Sequence, residues 1–270
     1  MPKEPRKPSP ALTPARSVAP RSWAAATAAA LGLAVPLAPA VMIAPMAIAS
    51  ESGEEGEAAA AHQDGTPGYL TELGLFEAAQ RIVGALYNRG DYALALEHFQ
   101  ASHHAQYETL EHEMEEYNAP GFSQANDDFV SAITTEQSTE IAAARLAHVL
   151  AAISTAGDAA APTAQQRVLS MKSLLDVAAN DYAAGVEGGT VVLPQEYRDA
   201  WGFVETVRAR AQELAGDADV TTAAAGNEIL AQLAPLAPLF PDLTATETAG
   251  DPSLIGVSAA WIEIIALRLP

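Results

Sequence analysis

Apolar side chains recur at helical spacing along almost the whole chain from Tyr69 onward, and this periodicity limits the fold more than any other feature. Gly and Pro interrupt it at intervals. The pattern predicts helices around residues 73–86, 92–99, 107–117, 122–133, 141–153, 163–186, 194–214, 229–239 and 254–269. Residues 190–193 alone resemble a strand, and they are too few to build a sheet. We therefore predict an all-α fold of about nine helices in two packed helical bundles.

The first fifty residues have the features of an export signal. Five basic side chains lie at the start, and residues 23–50 carry no charge. The small-x-small sequence Ala47-Ile48-Ala49 fits a secretory cleavage site. The alternative is a retained membrane anchor, which Pro36, Pro39 and Pro45 disfavour because each removes a backbone donor. We predict a signal peptide over residues 1–49, no membrane span after cleavage, and a periplasmic or secreted location.

The remaining chain divides into three predicted segments. Residues 50–68 are acidic and rich in Gly and Ala, which is typical of a disordered linker. An N-terminal helical bundle is predicted over residues 69–156. A C-terminal helical bundle is predicted over residues 162–270, beginning after the loop that precedes Thr163. The apolar run over residues 254–269 contains Glu263 and Arg268, so we interpret it as a buried helix and not as a span.

Charge and cysteine content exclude several classes of function. The formal net charge is −20, so binding of nucleic acid is not expected. Cysteine is absent, which excludes disulfides, thiol nucleophiles, iron–sulfur clusters and c-type haem attachment. The chain also has no Gly-rich phosphate loop and no nucleophile elbow. We identify no catalytic site, and whether the protein is an enzyme stays open.

The densest group of metal-ligating side chains lies on the third predicted helix. Tyr107, Leu110, Met114 and Tyr117 form its core face. Imidazole and carboxylate groups on its flank and just before it are suited to Zn, Mn, Fe or Cu. These candidates are His98, His103, His104, Glu108, Glu111, His112 and Glu115. The alternative is a plain acidic, solvated helix face, and the zincin spacing of a metallohydrolase is missing.

A second acidic group lies in the C-terminal half. Glu196 and Asp199 are three residues apart, on one face of a helix that Pro194 opens. Asp181 ends the preceding helix and is expected to approach them across a Gly-Gly turn. Paired carboxylates serve acid–base chemistry or bind a hard cation. Alternatively, Glu196 and Asp199 only favour the positive end of their helix.

The same half of the chain resembles a known family. The residues are Leu174-Leu175-Asp176, then Asn180-Asp181-Tyr182-Ala183-Ala184-Gly185-Val186, Val191-Val192, Glu196-Tyr197 and Phe203. Over about residues 167–243, this string resembles the helical extracytoplasmic domain of bacterial high-affinity iron permeases. Val177 and Asp199 depart from the family, which has Tyr and often Glu there. The permease's membrane helices are absent.

The resemblance implies a periplasmic relative that handles iron or another metal, with Asp181, Glu196 and Asp199 as the matching acidic positions. Together with the His/Glu helix, it leads us to expect a protein that binds or delivers a transition-metal ion during metal uptake. The alternative is a non-enzymatic helical module that docks a membrane partner without metal. Expected partners are an inner-membrane permease or another periplasmic protein.

Overall fold

A computed structural model of the chain describes residues 65–105 and 107–270, with the side chains of His103 and Thr109 left out. The predicted signal peptide and most of the predicted linker lie outside these residues. Within them the fold is all-α, as predicted. The nine helices are α1 (Thr66–Asn88), α2 (Tyr92–Ala101), α3 (Glu108–Glu116), α4 (Ser123–Thr134), α5 (Thr139–Ala159), α6 (Ala164–Gly185), α7 (Pro194–Ala215), α8 (Val220–Leu233) and α9 (Ser253–Ala266). The first turn of α1 takes up residues 66–68 of the predicted linker.

Side-chain caps fix the start of several helices. Thr163 and Gln166 form a capping box at the start of α6, with Thr163 Oγ1 accepting from Gln166 N at 3.2 Å. Asp219 caps α8 by accepting from Thr222 N at 2.9 Å. The helix predicted over residues 229–239 was therefore wrong in its bounds. It begins nine residues earlier, and residues 234–239 continue as a 3₁₀ helix because Pro235 prevents a further α-turn.

Helices α6 to α9 form a four-helix bundle. α6 packs against α7 and α9, and α8 packs against α7 and α9. Their core contains Leu174, Phe203, Ile229 and Ile262, all almost fully buried. Gly226 allows α7 and α8 to approach closely, because a Cβ at this position would lie 2.4 Å from Ala215 N.

Helix α1 packs against both parts of the molecule. On one side it contacts α6 and α7, and on the other it contacts α2 and α5. Leu75 and Ala78 belong to the core of the four-helix bundle, whereas Phe76 and Leu86 belong to a second core formed with α2–α5. α1 is therefore shared between two hydrophobic cores.

Aromatic side chains organise the second core. The rings of Phe76, Tyr107 and Phe122 meet with centroid separations of 4.9 to 6.4 Å. Tyr107 Oη also accepts a hydrogen bond from Phe122 N at 2.9 Å, which ties the start of α3 to the start of α4. The core face predicted for the third helix is thus confirmed for Tyr107, Leu110 and Met114, all of which are buried.

A short hairpin connects α6 to α7. Its strands are β1 (Val186–Glu187) and β2 (Thr190–Val191), which pair antiparallel. Gly188 and Gly189 form the turn with φ of 58° and 85°, values that favour glycine. The hairpin turns the chain so that the end of α6 contacts the start of α7.

Helix α9 is buried on one face only. Ile255, Ile262 and Ile265 point into the four-helix bundle, whereas Trp261 on the opposite face is 49% exposed. The prediction of a buried helix over residues 254–269 is therefore correct for only one of its faces. No helix in the described part of the chain has the length and apolar character needed to cross a membrane.

Candidate functional site

The predicted His/Glu flank of α3 faces solvent. Glu108, Glu111 and Glu115 are exposed, and the side chain of His112 is 84% exposed. His112 Nε2 lies 3.6 Å from Glu116 Oε1, an ion-pair distance between two solvated groups. The flank is thus an open acidic surface with one imidazole on it.

His98 is placed very differently, in the interior. It lies on α2, is 1% exposed, and its Nε2 is 3.4 Å from Asp199 Oδ1 on α7. The two residues are 101 positions apart in the sequence and came from the two separately predicted groups. The fold therefore brings one imidazole and one carboxylate together in a buried position.

Other polar groups surround this pair. Arg198 is buried beside Asp199, and Ser102 lies one turn after His98 on the same side of the chain. Among the described residues, four of these buried atoms lack a hydrogen-bond partner: both ring nitrogens of His98, Ser102 Oγ and Arg198 Nε. The 3.4 Å contact between His98 Nε2 and Asp199 Oδ1 thus lacks hydrogen-bond geometry. Buried polar atoms of this kind normally have partners, so the site has unused binding capacity.

The imidazole of His98 is neutral in this environment. Burial lowers the pKa of His98 to about 3, and the charges of Arg198 and His104 lower it in the same direction. The carboxylate of Asp199 does not reverse the effect. His104 itself is half-buried, with its ring edge-on to Phe203 at 5.7 Å. Neutral imidazole is the form that binds metal ions.

The remaining predicted acids lie at the junction of α6 and α7. Asp181 is fully buried, and Glu196 is half-buried in the first turn of α7. The helices touch four residues after Asp181, where a Cβ on Gly185 would lie 2.7 Å from Tyr197 N. No group of three or more His, Asp or Glu side chains within the described ranges is arranged to hold a metal ion. The side chain of His103 is not among those described, so this statement does not cover it.

Sequence reasoning missed Ser102 and Arg198. Ser102 gave no signal, because it lies beyond the end of the predicted helix, where its N–H donates to the His98 carbonyl at 2.9 Å. Arg198 gave no signal, because an arginine in the first turn of an amphipathic helix is normally solvated.

The comparisons concern the C-terminal half of the chain. Residues 159–264 match the model of the Iron permease-associated 4-helix bundle domain. No curated protein and no solved structure matches the chain. The matched residues run from the end of α5 to the last turns of α9 and contain all four helices of the bundle. They include Asp181, Glu196 and Asp199, whereas His98 precedes them. The resemblance predicted over residues 167–243 is thus confirmed: residues 159–264 are similar to the Iron permease-associated 4-helix bundle domain.

Proposed function

We propose that this is an exported helical protein that binds or delivers a transition-metal ion, iron among the candidates, in cooperation with a permease. The observation that carries the proposal is the match of residues 159–264 to a domain associated with iron permeases. The predicted signal over residues 1–49 supports a periplasmic or secreted location. The acidic chain, with a net charge of −20, favours the approach of cations.

The buried pair of His98 and Asp199 is the proposed centre of metal binding. A neutral imidazole nitrogen and a carboxylate oxygen 3.4 Å apart are two ligand types that Fe, Zn, Mn and Cu all accept. His104 is the neighbouring imidazole within electrostatic reach. Two protein ligands leave coordination positions on the ion for water or for groups that arrive with it. Such a site suits transient binding and delivery better than permanent storage.

The exposed flank of α3 is a second, weaker place for cations. Glu108, Glu111, His112 and Glu115 are solvated, so an ion bound there keeps part of its water shell and is held loosely. Asp181 and Glu196 lie at the α6–α7 junction and complete the set of candidate ligands. The exposed flank of α3 and the buried pair predict different affinities, which allows them to be separated by experiment.

The test is metal content and binding in the chain expressed with its own N-terminus and without a His tag. Loading with Fe, Cu, Zn and Mn is followed by elemental analysis, calorimetry and thermal melting. We expect near-stoichiometric metal and a raised melting temperature, because a ligand of the native state stabilises that state. The same loaded sample identifies the cleavage site by N-terminal sequencing.

Two sets of substitutions distinguish the buried pair from the exposed flank of α3. The double change His98→Gln with Asp199→Asn is expected to abolish stoichiometric binding. The triple change His104→Ala, Glu108→Ala and His112→Ala is expected to remove only weak binding. Unchanged affinity in the double variant would remove the buried pair from the proposal. Absence of metal at every loading would reject metal binding altogether.

A second candidate function is a helical module that docks a membrane partner without metal. The exposed outer face of α9 favours it, since Val257, Trp261 and Ile264 are each about half exposed on one side of the helix. Co-purification with an inner-membrane permease from metal-depleted cells, lost when Trp261→Glu is introduced, would support this function. Co-purification that requires added metal would favour the first proposal instead.

A further inference from the structure

A cavity of about 660 Å³ lies between α1, α5, α6 and α7, away from the residues assigned above. Its volume is in the range of small-molecule sites in proteins. Leu73 of α1, Ile153 of α5 and Met171 of α6 are buried and form an apolar floor. The cavity lies where the second core meets the four-helix bundle, a usual position for a ligand site.

The arginines of the cavity are already paired with carboxylates of the protein. Arg81 donates to Glu77 Oε1 through Nε at 2.8 Å and Nη2 at 2.6 Å. Arg210 donates to Glu77 Oε2 through Nε at 3.1 Å, and its Nη1 donates to the carbonyl of Leu70 at 2.8 Å. The third, Arg167, donates through Nη2 to the carboxylate of Asp158 at 2.7 Å. The three guanidinium groups of the wall therefore share two carboxylates, those of Glu77 and Asp158.

The rim of the cavity carries two further acidic groups that are not paired with the arginines of the wall. Glu213 and Asp217 are exposed at the mouth, and neither forms a salt bridge with any residue that the structure describes. Desolvation by the neighbouring protein raises the pKa of the Glu213 carboxyl, and repulsion from Glu77 adds to this. The nearby guanidinium groups act in the opposite direction without reversing the shift. With Glu213 and Asp217 included, the lining has four carboxylates against three guanidinium groups. A positive charge placed at the rim would therefore be stabilised.

We propose that this cavity binds an organic cation with an apolar body, a protonated amine being the simplest example. The ammonium group lies at the rim beside Glu213 and Asp217, and the apolar body extends over Leu73, Ile153 and Met171. An organic anion is disfavoured because each guanidinium already donates to a carboxylate oxygen, and the carboxylates of the lining outnumber its guanidinium groups. The proposal is independent of metal binding at His98 and Asp199.

Three probes of one shape test it on the full chain. These are 4-phenylbutylamine, 4-phenylbutanol and 4-phenylbutyrate, which share a phenyl ring on a four-carbon chain and carry a cationic, a neutral and an anionic head group. We expect the amine to bind most tightly in calorimetry and to raise the melting temperature most. The alcohol measures the apolar contribution alone, and the butyrate is expected to bind least.

Two variants place the binding in the cavity. Glu213→Gln keeps the shape of the side chain and is expected to weaken amine binding about tenfold, or about 1.4 kcal/mol, with little effect on the alcohol. Ala151→Trp, at an exposed position of the lining, fills the cavity and is expected to abolish binding of both. Glu187→Gln, on the exposed hairpin away from the cavity, is the matched control and is expected to change nothing.

Three outcomes would overturn the proposal. The first is butyrate binding as tightly as the amine, which would indicate an anion site built on the arginines. The second is unchanged amine affinity in Glu213→Gln or in Ala151→Trp. The third is no binding of any probe up to millimolar concentration.

Discussion

Replacing His98 is expected to make the protein less sensitive to acid. The side chain is 0% exposed and its pKa lies at about 3, against 6.5 for a free imidazole. Between these two values the unfolded chain carries a proton on this residue and the folded chain does not. The free energy of unfolding therefore carries no penalty from His98 well above pH 6.5. It falls as the pH is lowered from 6.5 toward 3, because protons bind the unfolded state preferentially.

The magnitude follows from this difference in proton binding. One extra proton on the unfolded state lowers the free energy of unfolding by about 1.4 kcal/mol per pH unit. From pH 7 to pH 5, His98 accounts for a loss of about 2 kcal/mol. Carboxyl groups titrate mostly below pH 5, so this window isolates the histidine contribution.

The assay is urea unfolding of the metal-free protein at half-unit steps from pH 7 to pH 5. His98→Gln and His98→Phe both remove the titrating group, and their absolute stability does not matter because only the slope is compared. His148→Gln, at an exposed histidine, is the control and is expected to keep the slope of the original protein. Equal slopes in the original protein and both His98 variants would refute the reasoning, as would a pKa near 6.5 measured by NMR for His98.

Three further predictions concern stability. Glu77→Gln removes the buried carboxylate that two arginines share and is expected to lower the free energy of unfolding by about 3 kcal/mol in urea unfolding. The matched variant Glu205→Gln, in the less buried pair with Arg208, is expected to cost less than about 1 kcal/mol. Gly226→Ala places a Cβ 2.4 Å from Ala215 N, so we expect a loss of roughly 2 kcal/mol; an unchanged melting temperature would contradict this. Tyr197→Phe removes a 2.8 Å hydrogen bond to a loop carbonyl and is expected to cost about 1 kcal/mol, with faster amide exchange in residues 242–248.

Most of the fold was predictable because turns and caps are local signals. The apolar periodicity predicted a first helix ending near residue 86, and α1 ends at Asn88, where Gly90 follows with a positive φ of 88°. The start of α8 was missed, because its first turns are built of Thr and Ala and show little apolar contrast. Asp219 gave the local cap signal that would have located it.

The sequence predicted which residues could belong to a candidate site, but not which of them meet in the fold. His98 and Asp199 were each identified, but their contact depends on where α2 lies relative to α7. No local spacing encodes a contact between residues 101 positions apart in the sequence. The solvent exposure of Glu108, Glu111 and Glu115 was one of two alternatives that the helical wheel left open. The arginine-lined cavity gave no local signal, because its residues come from four helices.

The position of α1 bears on how the chain is divided for experiments. The residues similar to the iron permease-associated domain begin at 159, but α1 covers α6 and α7 and supplies both Glu77 and the Leu70 carbonyl to Arg210. A fragment of residues 159–264 would lose those partners. It would also expose to water the part of the bundle core that Leu75 and Ala78 cover. We therefore expect the fragment to behave as a loosened, aggregation-prone bundle, and one beginning at residue 65 to unfold in a single transition. On this reasoning, the shortest part of the chain expected to fold on its own begins with α1, well before the first residue of the family match.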